Sequence, residues 1–412
     1  MRFDVRAGKQ LKTASAGLSA TGCAGSPEGI LVPDCQDVLT RCPEFAASDN
    51  QPNFHSHRKQ TMPMQLPPSD DSCQVVITGG AGFLGLRLAR TLLTLGQLSI
   101  SGAAPKAIGR ITLVDRAAPP ADIMADPRIA ALTGDLNALL EEKQTFSPVV
   151  GAQTAIVFHL AAAVSGECEA DFDLGMRSNF AATLALLEAC RSLRTQPVMV
   201  FASSLAVFGE APGLPLPPAI EDTTLPTPQS SYGIQKFIGE QLVADYTRKG
   251  FIRGRNVRLM TVSVRPGRPN GAASSFLSGM IREPLAGVRA ACPVAFDTPM
   301  ALSSPARTVQ GLIRAAESTD QEWGPRTGLN LPALTTTPGE MAAALERVAG
   351  TEASGLIDWT PDPAIGNIVK TWPARIDSVR ASRLGLLAEE SFENIIRDYI
   401  RETPYAVKLP IR

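Results

Sequence analysis

Three histidines and seven cysteines are all that the 412 residues offer for metal or disulfide chemistry. The cysteines (Cys23, Cys35, Cys42, Cys73, Cys168, Cys190 and Cys292) are odd in number and irregular in spacing, and no Cys-x-x-Cys occurs. That pattern fits reduced thiols in an intracellular, cytoplasmic protein better than a disulfide framework, and it lacks the four convergent ligands of a tetrahedral zinc site. His55 and His57 stand in the least patterned stretch of the chain, so no metal is expected. An excess of either charge is missing too: 39 basic residues meet 40 acidic ones, for a formal net charge of -1. Nucleic-acid binders usually carry a basic surplus, so no nucleic-acid partner is expected. No apolar run approaches the roughly 20 residues needed to span a bilayer, so no membrane span is expected either.

What is present reads as globular, with 44% hydrophobic and 19% charged residues. Residues 1–72 differ from the rest. They lack sustained apolar periodicity and are rich in Ser, Pro, Gly, Gln and Asn, as expected of a disordered extension. Arg2, Arg6, Lys9 and Lys12 give its start a faint likeness to an organelle transit peptide, which Glu28, Asp34, Asp37 and Glu44 weaken.

From Gln74 the character changes. Gln74–Thr78 is a short β-branched run typical of a buried parallel strand, and a glycine-rich turn leads into apolar residues at helical spacing over Phe83–Leu95. Further strands are expected at Ile111–Asp115, Ile129–Thr133, Ala155–His159, Val198–Ala202 and Val257–Val264, with long helices over Phe172–Leu193 and Ser231–Arg248. Gln97–Gly109 reads as an inserted loop. Strands alternating with helices imply βαβ units, and right-handed crossovers make them an α/β, Rossmann-type doubly wound parallel sheet. The expected division is a dinucleotide-binding domain over 73–264 and a smaller C-terminal substrate lobe over 265–412, interleaved with the last strands of the sheet.

The turn Gly79-Gly80-Ala81-Gly82-Phe83-Leu84-Gly85 spaces its glycines as Gly-x-x-Gly-x-x-Gly between a strand and a helix. A dinucleotide needs this: a tight turn, close backbone approach to the pyrophosphate, and a helix N-terminus aimed at the phosphates. Asp115, ending the second strand, can accept both adenosine ribose hydroxyls and would repel a 2′-phosphate, which favours NAD over NADP. It lies farther from the glycines than the usual ~20 residues. Asp135, followed by Leu136, is a candidate for the adenine amino group or a helix cap.

Tyr232 and Lys236 form Tyr-x-x-x-Lys at the start of a helix, so phenol and ammonium share one face. A phenol has a pKa of ~10, and a neighbouring ammonium would lower it towards use as a base. Ser204, at the carboxyl end of the fifth strand, lies where open α/β sheets bind ligands and can orient a substrate oxygen. Ser203 reads as an ordinary strand-end serine.

Together, Gly79-x-x-Gly82-x-x-Gly85, Asp115, His159-Leu160-Ala161-Ala162, Asn179, Ser204-x-x-x-Phe208-Gly209, Tyr232-x-x-x-Lys236 and Arg265-Pro266-Gly267 resemble the extended short-chain dehydrogenases, the group of sugar-nucleotide epimerases and dehydratases. The resemblance covers about Gln74 to the end. It implies NAD bound by Gly79, Gly82, Phe83, Leu84, Gly85, Asp115, Asp135, Leu136, Ala161, Tyr232 and Lys236, a proton acceptor at Tyr232, and a homodimer through two long helices.

Narrower stretches, among them Val164-Ser165-Gly166-Glu167, Arg265-Pro266-Gly267-Arg268-Pro269-Asn270, Ile281-Arg282-Glu283-Pro284-Leu285 and Trp372-Pro373-Ala374-Arg375, are similar to the dehydrogenases of four-carbon sugar acids within that group. This implies a small sugar acid as substrate, with the C2 hydroxyl of D-erythronate oxidised to 2-oxo-erythronate. The residues add some independent support. Dehydratases place acid and base side chains directly after the catalytic hydroxyl, where this chain has Leu205 and Ala206. Arg268 or Arg282 can clamp a carboxylate or serve in a structural ion pair, and Ser165 and Asn270 can bond substrate hydroxyls. A nucleotide-sugar 4-epimerase on the same scaffold and a non-catalytic NAD-sensing protein remain the rival readings.

Overall fold

The computed structural model describes residues 72–141, 147–267 and 271–412. The expected extension up to residue 71, Arg268 and Asn270 lie outside the described residues. Seven parallel strands run β1 (Cys73–Thr78), β2 (Lys106–Asp115), β3 (Ile129–Thr133), β4 (Thr154–His159), β5 (Val198–Ser204), β6 (Arg253–Leu259) and β7 (Leu329–Asn330). Their order across the sheet is 3-2-1-4-5-6-7, doubly wound about β1 and β4. The short Gln97–Leu98 strand pairs antiparallel with the start of β2.

Side chains alternate between the two faces of the sheet. On one face Val75, Ile77, Ile156, Phe158, Val198 and Val200 pack with helices α1 (Phe83–Leu95) and α5 (Pro305–Glu317). On the other, Val76, Val157, Met199 and Phe201 meet α2 (Ala182–Leu193) and α3 (Ser231–Arg248). Each fully buried aliphatic side chain contributes about 1.5–3 kcal/mol. A separate core joins α4 (Ser275–Leu285), α6 (Pro338–Ser354) and α7 (Phe392–Glu402) through Met280, Ile281, Leu345, Val348, Ile395 and Ile396. Trp372 packs against this core and against the first sheet face, bridging the two.

Three local expectations are corrected. Gln97–Gly109 is not simply a loop: Gln97 and Leu98 pair with Ala107 and Lys106, so β2 begins five residues earlier than the composition suggests. Val257–Val264 is not one strand. The chain leaves the main sheet at Met260, and Thr261–Val262 pairs with Met300–Ser303. The helix expected over Phe172–Leu193 holds a π-helical turn at Met176–Ala181. No helix among the described residues is long and apolar enough to cross a membrane.

Candidate active site

A cavity of about 740 Å³ runs along the carboxyl edge of the sheet, from the glycine turn to Arg265, Ser274 and Trp372. That edge is where doubly wound sheets leave room for ligands. Gly79, Gly82, Phe83, Leu84 and Gly85 line one end. Gly79 holds φ at 70°, and a Cβ on it would lie 2.8 Å from the Ala161 nitrogen. At Gly85 a Cβ would lie 2.2 Å from the Gly79 carbonyl oxygen, so α1 meets the turn only as glycine. The α1 N-cap is Gly82 and no side chain caps it, which leaves first-turn N–H groups facing the cavity end for an anion.

Asp115 borders the same end. Its Oδ2 accepts from the Ala81 N–H and its Oδ1 from the Ala117 N–H, both at 3.0 Å, and each oxygen keeps acceptor capacity. Arg116 beside it is exposed and also lines the cavity. Asp135 and Leu136 form the next stretch of wall, where Asp135 Oδ1 accepts the Asn137 N–H at 3.0 Å in the manner of a helix cap. Ala161 lies opposite, its N–H donated to Thr78 Oγ1 at 3.3 Å. These residues form a continuous cradle of the kind a dinucleotide requires, in which added Cβ atoms at Gly79 and Gly85 would collide with backbone.

Beneath the cradle His159 joins three elements. Its Nδ1 pairs with Thr78 Oγ1 at 2.6 Å and its Nε2 with Thr183 Oγ1 at 2.9 Å. Burial and the nearby Lys236 charge push its pKa down to about 3, so the ring is neutral. The π turn aims Asn179 inward. Its amide accepts from the Ala163 N–H at 2.8 Å and donates to the Ala163 carbonyl and to Gln235 Oε1, fixing α3 against the cavity wall.

Farther along, Ser204, Tyr232 and Lys236 converge. Ser204 ends β5 and accepts the Ala206 N–H at 3.1 Å. Ser230 caps α3 by accepting from the Gly233 N–H, which sets Tyr232 and Lys236 in the first two turns on one face. The Ser204 hydroxyl lies near the Tyr232 phenol and favours its ionisation. Lys236 Nζ donates to the Ala202 carbonyl at 2.8 Å and stands 5.7 Å from the Tyr232 ring centre.

The electrostatics differ from the expectation that Lys236 lowers the phenol. Burial dominates and pushes Tyr232 up to about 12, opposed by the nearby Ser204 hydroxyl and the Arg265 charge. Burial likewise brings Lys236 down to about 8. In the protein by itself the phenol is therefore protonated at neutral pH, and a further positive charge is needed to make it a base. Leu205 and Ala206 are buried after Ser204 and carry no group able to transfer a proton. Ser203 donates to Glu240 Oε1 at 2.5 Å, and Glu240 in turn forms a buried ion pair with Arg258 at 2.7 Å.

The remaining candidates separate. Ser165 lines the cavity and accepts the Ala273 N–H at 3.3 Å, tying the cavity wall to the segment before α4. Arg282 does not line it. Its guanidinium donates to the Arg265 carbonyl at 2.9 Å and to Glu283 Oε1 at 2.5 Å, the structural role of an ion-pair member. Arg265, Trp372 and Ser274 do line the cavity, although sequence reasoning gave them no part in the site. Arg265 was visible only as the head of an Arg-Pro-Gly motif, and Trp372 lies 107 residues farther on with no spacing to connect them.

Residues 75–296 match the model of the NAD dependent epimerase/dehydratase family. The chain is 49% identical over 332 residues to the D-erythronate dehydrogenase of Cupriavidus necator, covering 81% of this chain and 99% of that protein. It is 41% identical to the D-erythronate dehydrogenase of Haemophilus influenzae over 327 residues, 79% of this chain and 98% of the relative. Among solved structures it resembles the nucleoside-diphosphate-sugar epimerase from Agrobacterium tumefaciens, with a TM-score of 0.73 and 39% identity over 81% of this chain and 95% of that one. By its glycine cradle, its sheet order and these likenesses, the chain belongs to the NAD dependent epimerase/dehydratase family.

Proposed function

We propose that the protein is an NAD-dependent dehydrogenase that oxidises the C2 hydroxyl of D-erythronate to 2-oxo-erythronate. The observation that carries the reading is the convergence of Ser204, Tyr232 and Lys236 on one cavity with the glycine cradle, with only Leu205 and Ala206 behind Ser204. That set can move one proton and lacks the additional acid and base needed to eliminate water. The two relatives named D-erythronate dehydrogenase support the choice of substrate.

The cradle residues Gly79, Gly82, Phe83, Leu84, Gly85, Asp115, Asp135, Leu136 and Ala161 would hold NAD, with Asp115 favouring it over NADP. Bound there, NAD supplies a hydride acceptor and a positive ring charge. Ser204 orients the substrate hydroxyl towards Tyr232. Tyr232 takes the hydroxyl proton as the hydride leaves C2. Lys236 keeps the phenolate charge balanced and can hold the nicotinamide ribose. Ser165 can bond a substrate hydroxyl at the cavity mouth. The four described cysteines are free and buried, which supports a reducing, cytoplasmic setting, and a homodimer through α2 and α3 belongs to the same proposal.

A 4-epimerase is the second reading, favoured by the name of the Agrobacterium structure. The test is NADH absorbance on mixing the protein and NAD with four-carbon sugar acids, D-erythronate first, beside UDP-glucose and UDP-galactose. Absorbance should rise with D-erythronate and not in Tyr232→Phe. Interconversion of the UDP-sugars with no net NADH would overturn the dehydrogenase reading in favour of the epimerase.

A further inference from the structure

Among the described residues fourteen arginines have a carboxylate within ion-pair distance, and Arg265 is not one of them. It lines the catalytic cavity, and its Nη2 is buried without a hydrogen-bond partner. Among the described residues no carboxylate forms an ion pair with it. Glu283 is engaged with Arg282 through Oε1, and its Oε2, also unpartnered, does not reach Arg265. Arg282 adds a second guanidinium and anchors the Arg265 carbonyl at 2.9 Å, while Ser278 Oγ accepts the Arg265 N–H at 3.0 Å. The Arg265 backbone is thus pinned at both polar groups, and its side chain, with one nitrogen buried and unpaired, forms part of the cavity wall near Tyr232.

A buried guanidinium without its anion is costly, and planar bidentate pairing with a carboxylate is the arrangement that satisfies it best. We infer that Arg265 is the receptor for the substrate carboxylate, holding a 2-hydroxy acid with its C2 hydroxyl directed at Ser204 and Tyr232. This rests on the dehydrogenase reading for the chemistry, although the binding itself does not require turnover. Arg282 is then a positioning residue that acts through the Arg265 backbone. An acid, rather than a neutral polyol, is what completes the site, and the separation of carboxylate from hydroxyl sets which carbon is oxidised. The Arg265 charge also reaches the phenol, whose ionisation it favours.

The experiment is calorimetric binding of D-erythronate, and of its neutral amide, to the NADH-saturated protein, compared with Arg265→Met and Arg265→Lys. NADH binding serves as the check that each variant folds. Wild type should bind the acid in preference to the amide. Arg265→Met should bind the acid about 10- to 100-fold more weakly, the range expected for lost charge-assisted bonds, with the amide nearly unchanged. Arg265→Lys should recover part of the acid preference. Equal acid binding by wild type and Arg265→Met overturns the inference, as does a wild type with no preference for the acid. If the acid binds through Arg265 but is never oxidised, the proposed function fails and the carboxylate receptor stands.

Discussion

His159 makes the stability of this fold depend on pH in a way that can be calculated beforehand. Its ordinary pKa of 6.5 falls to about 3 in the folded protein, through burial first and the Lys236 charge second. Between those values the unfolded chain binds a proton that the folded protein refuses, so stability is lost as pH falls through the unfolded pKa. Each unit below it costs about 1.4 kcal/mol. The loss reaches roughly 3 kcal/mol at pH 4.5 and continues to grow towards pH 3. Carboxylates titrate in the same range, so the assay is a difference: urea unfolding by tryptophan fluorescence, wild type against His159→Asn, at pH steps from 7.5 to about 4.5. His55 and His57 occur in both proteins and cancel. At neutral pH the variant should be the less stable, having lost bonds to Thr78 and Thr183. That deficit should shrink by roughly 3 kcal/mol by pH 4.5. Parallel stability curves across the range would refute a neutral, desolvated His159.

Three other outcomes follow from the same geometry. Gly85→Ala puts a Cβ 2.2 Å from the Gly79 oxygen, so NADH affinity by fluorescence titration should drop about tenfold or more while D-erythronate binding to the folded protein's other end changes little. Tyr232→Phe should lower kcat by about 10²- to 10⁴-fold and leave NADH binding in place; in wild type the oxidation rate should rise with pH, because burial holds the phenol up towards about 12 and its deprotonated form is the base. Glu240→Gln leaves Arg258 buried without its partner and weakens the hold on Ser203, so unfolding free energy should fall by about 3–5 kcal/mol in urea melts. A change within the usual error of such melts would show that the pair contributes nothing net.

The parts of the molecule legible in the sequence are those set by local chemistry. Helix α1 spans Phe83–Leu95 because a glycine turn starts it and Gly96, left-handed at φ 67°, ends it. Helix α3 begins at Ser231 because Ser230 caps it. The strand boundaries follow from β-branched runs between turns. What was not legible depends on distant pairing. Residues 257–264 read as one apolar run, and only the partner Met300–Ser303 draws Thr261 and Val262 away from the main sheet. The π turn has no compositional mark, and it exists where Asn179 reaches Ala163 and Gln235 across elements. The arginines are the sharpest case. Arg265 and Arg282 are equal in a sequence. The fold distinguishes them by giving Arg282 a carboxylate and placing Arg265, with a buried unpaired Nη2, in the cavity wall.

The charge pattern of the site follows from where burial is imposed. A phenol raised to about 12 is useless as a base until positive charge gathers round it, and the chain brings two cations near: Lys236 one turn along α3, and Arg265 across the seam. Lys236, brought down to about 8 and bonded to the Ala202 carbonyl, still carries most of its charge at neutral pH. His159, buried beside them, would add a third cation in the wrong place, and it is kept neutral by burial and by the Lys236 charge. A positive nicotinamide ring bound at this end of the cavity would add the charge that favours the phenolate. A carboxylate on Arg265 would cancel part of the same charge, which makes the order of the two ligands matter: the phenol is most acidic with cofactor bound and before the acid arrives.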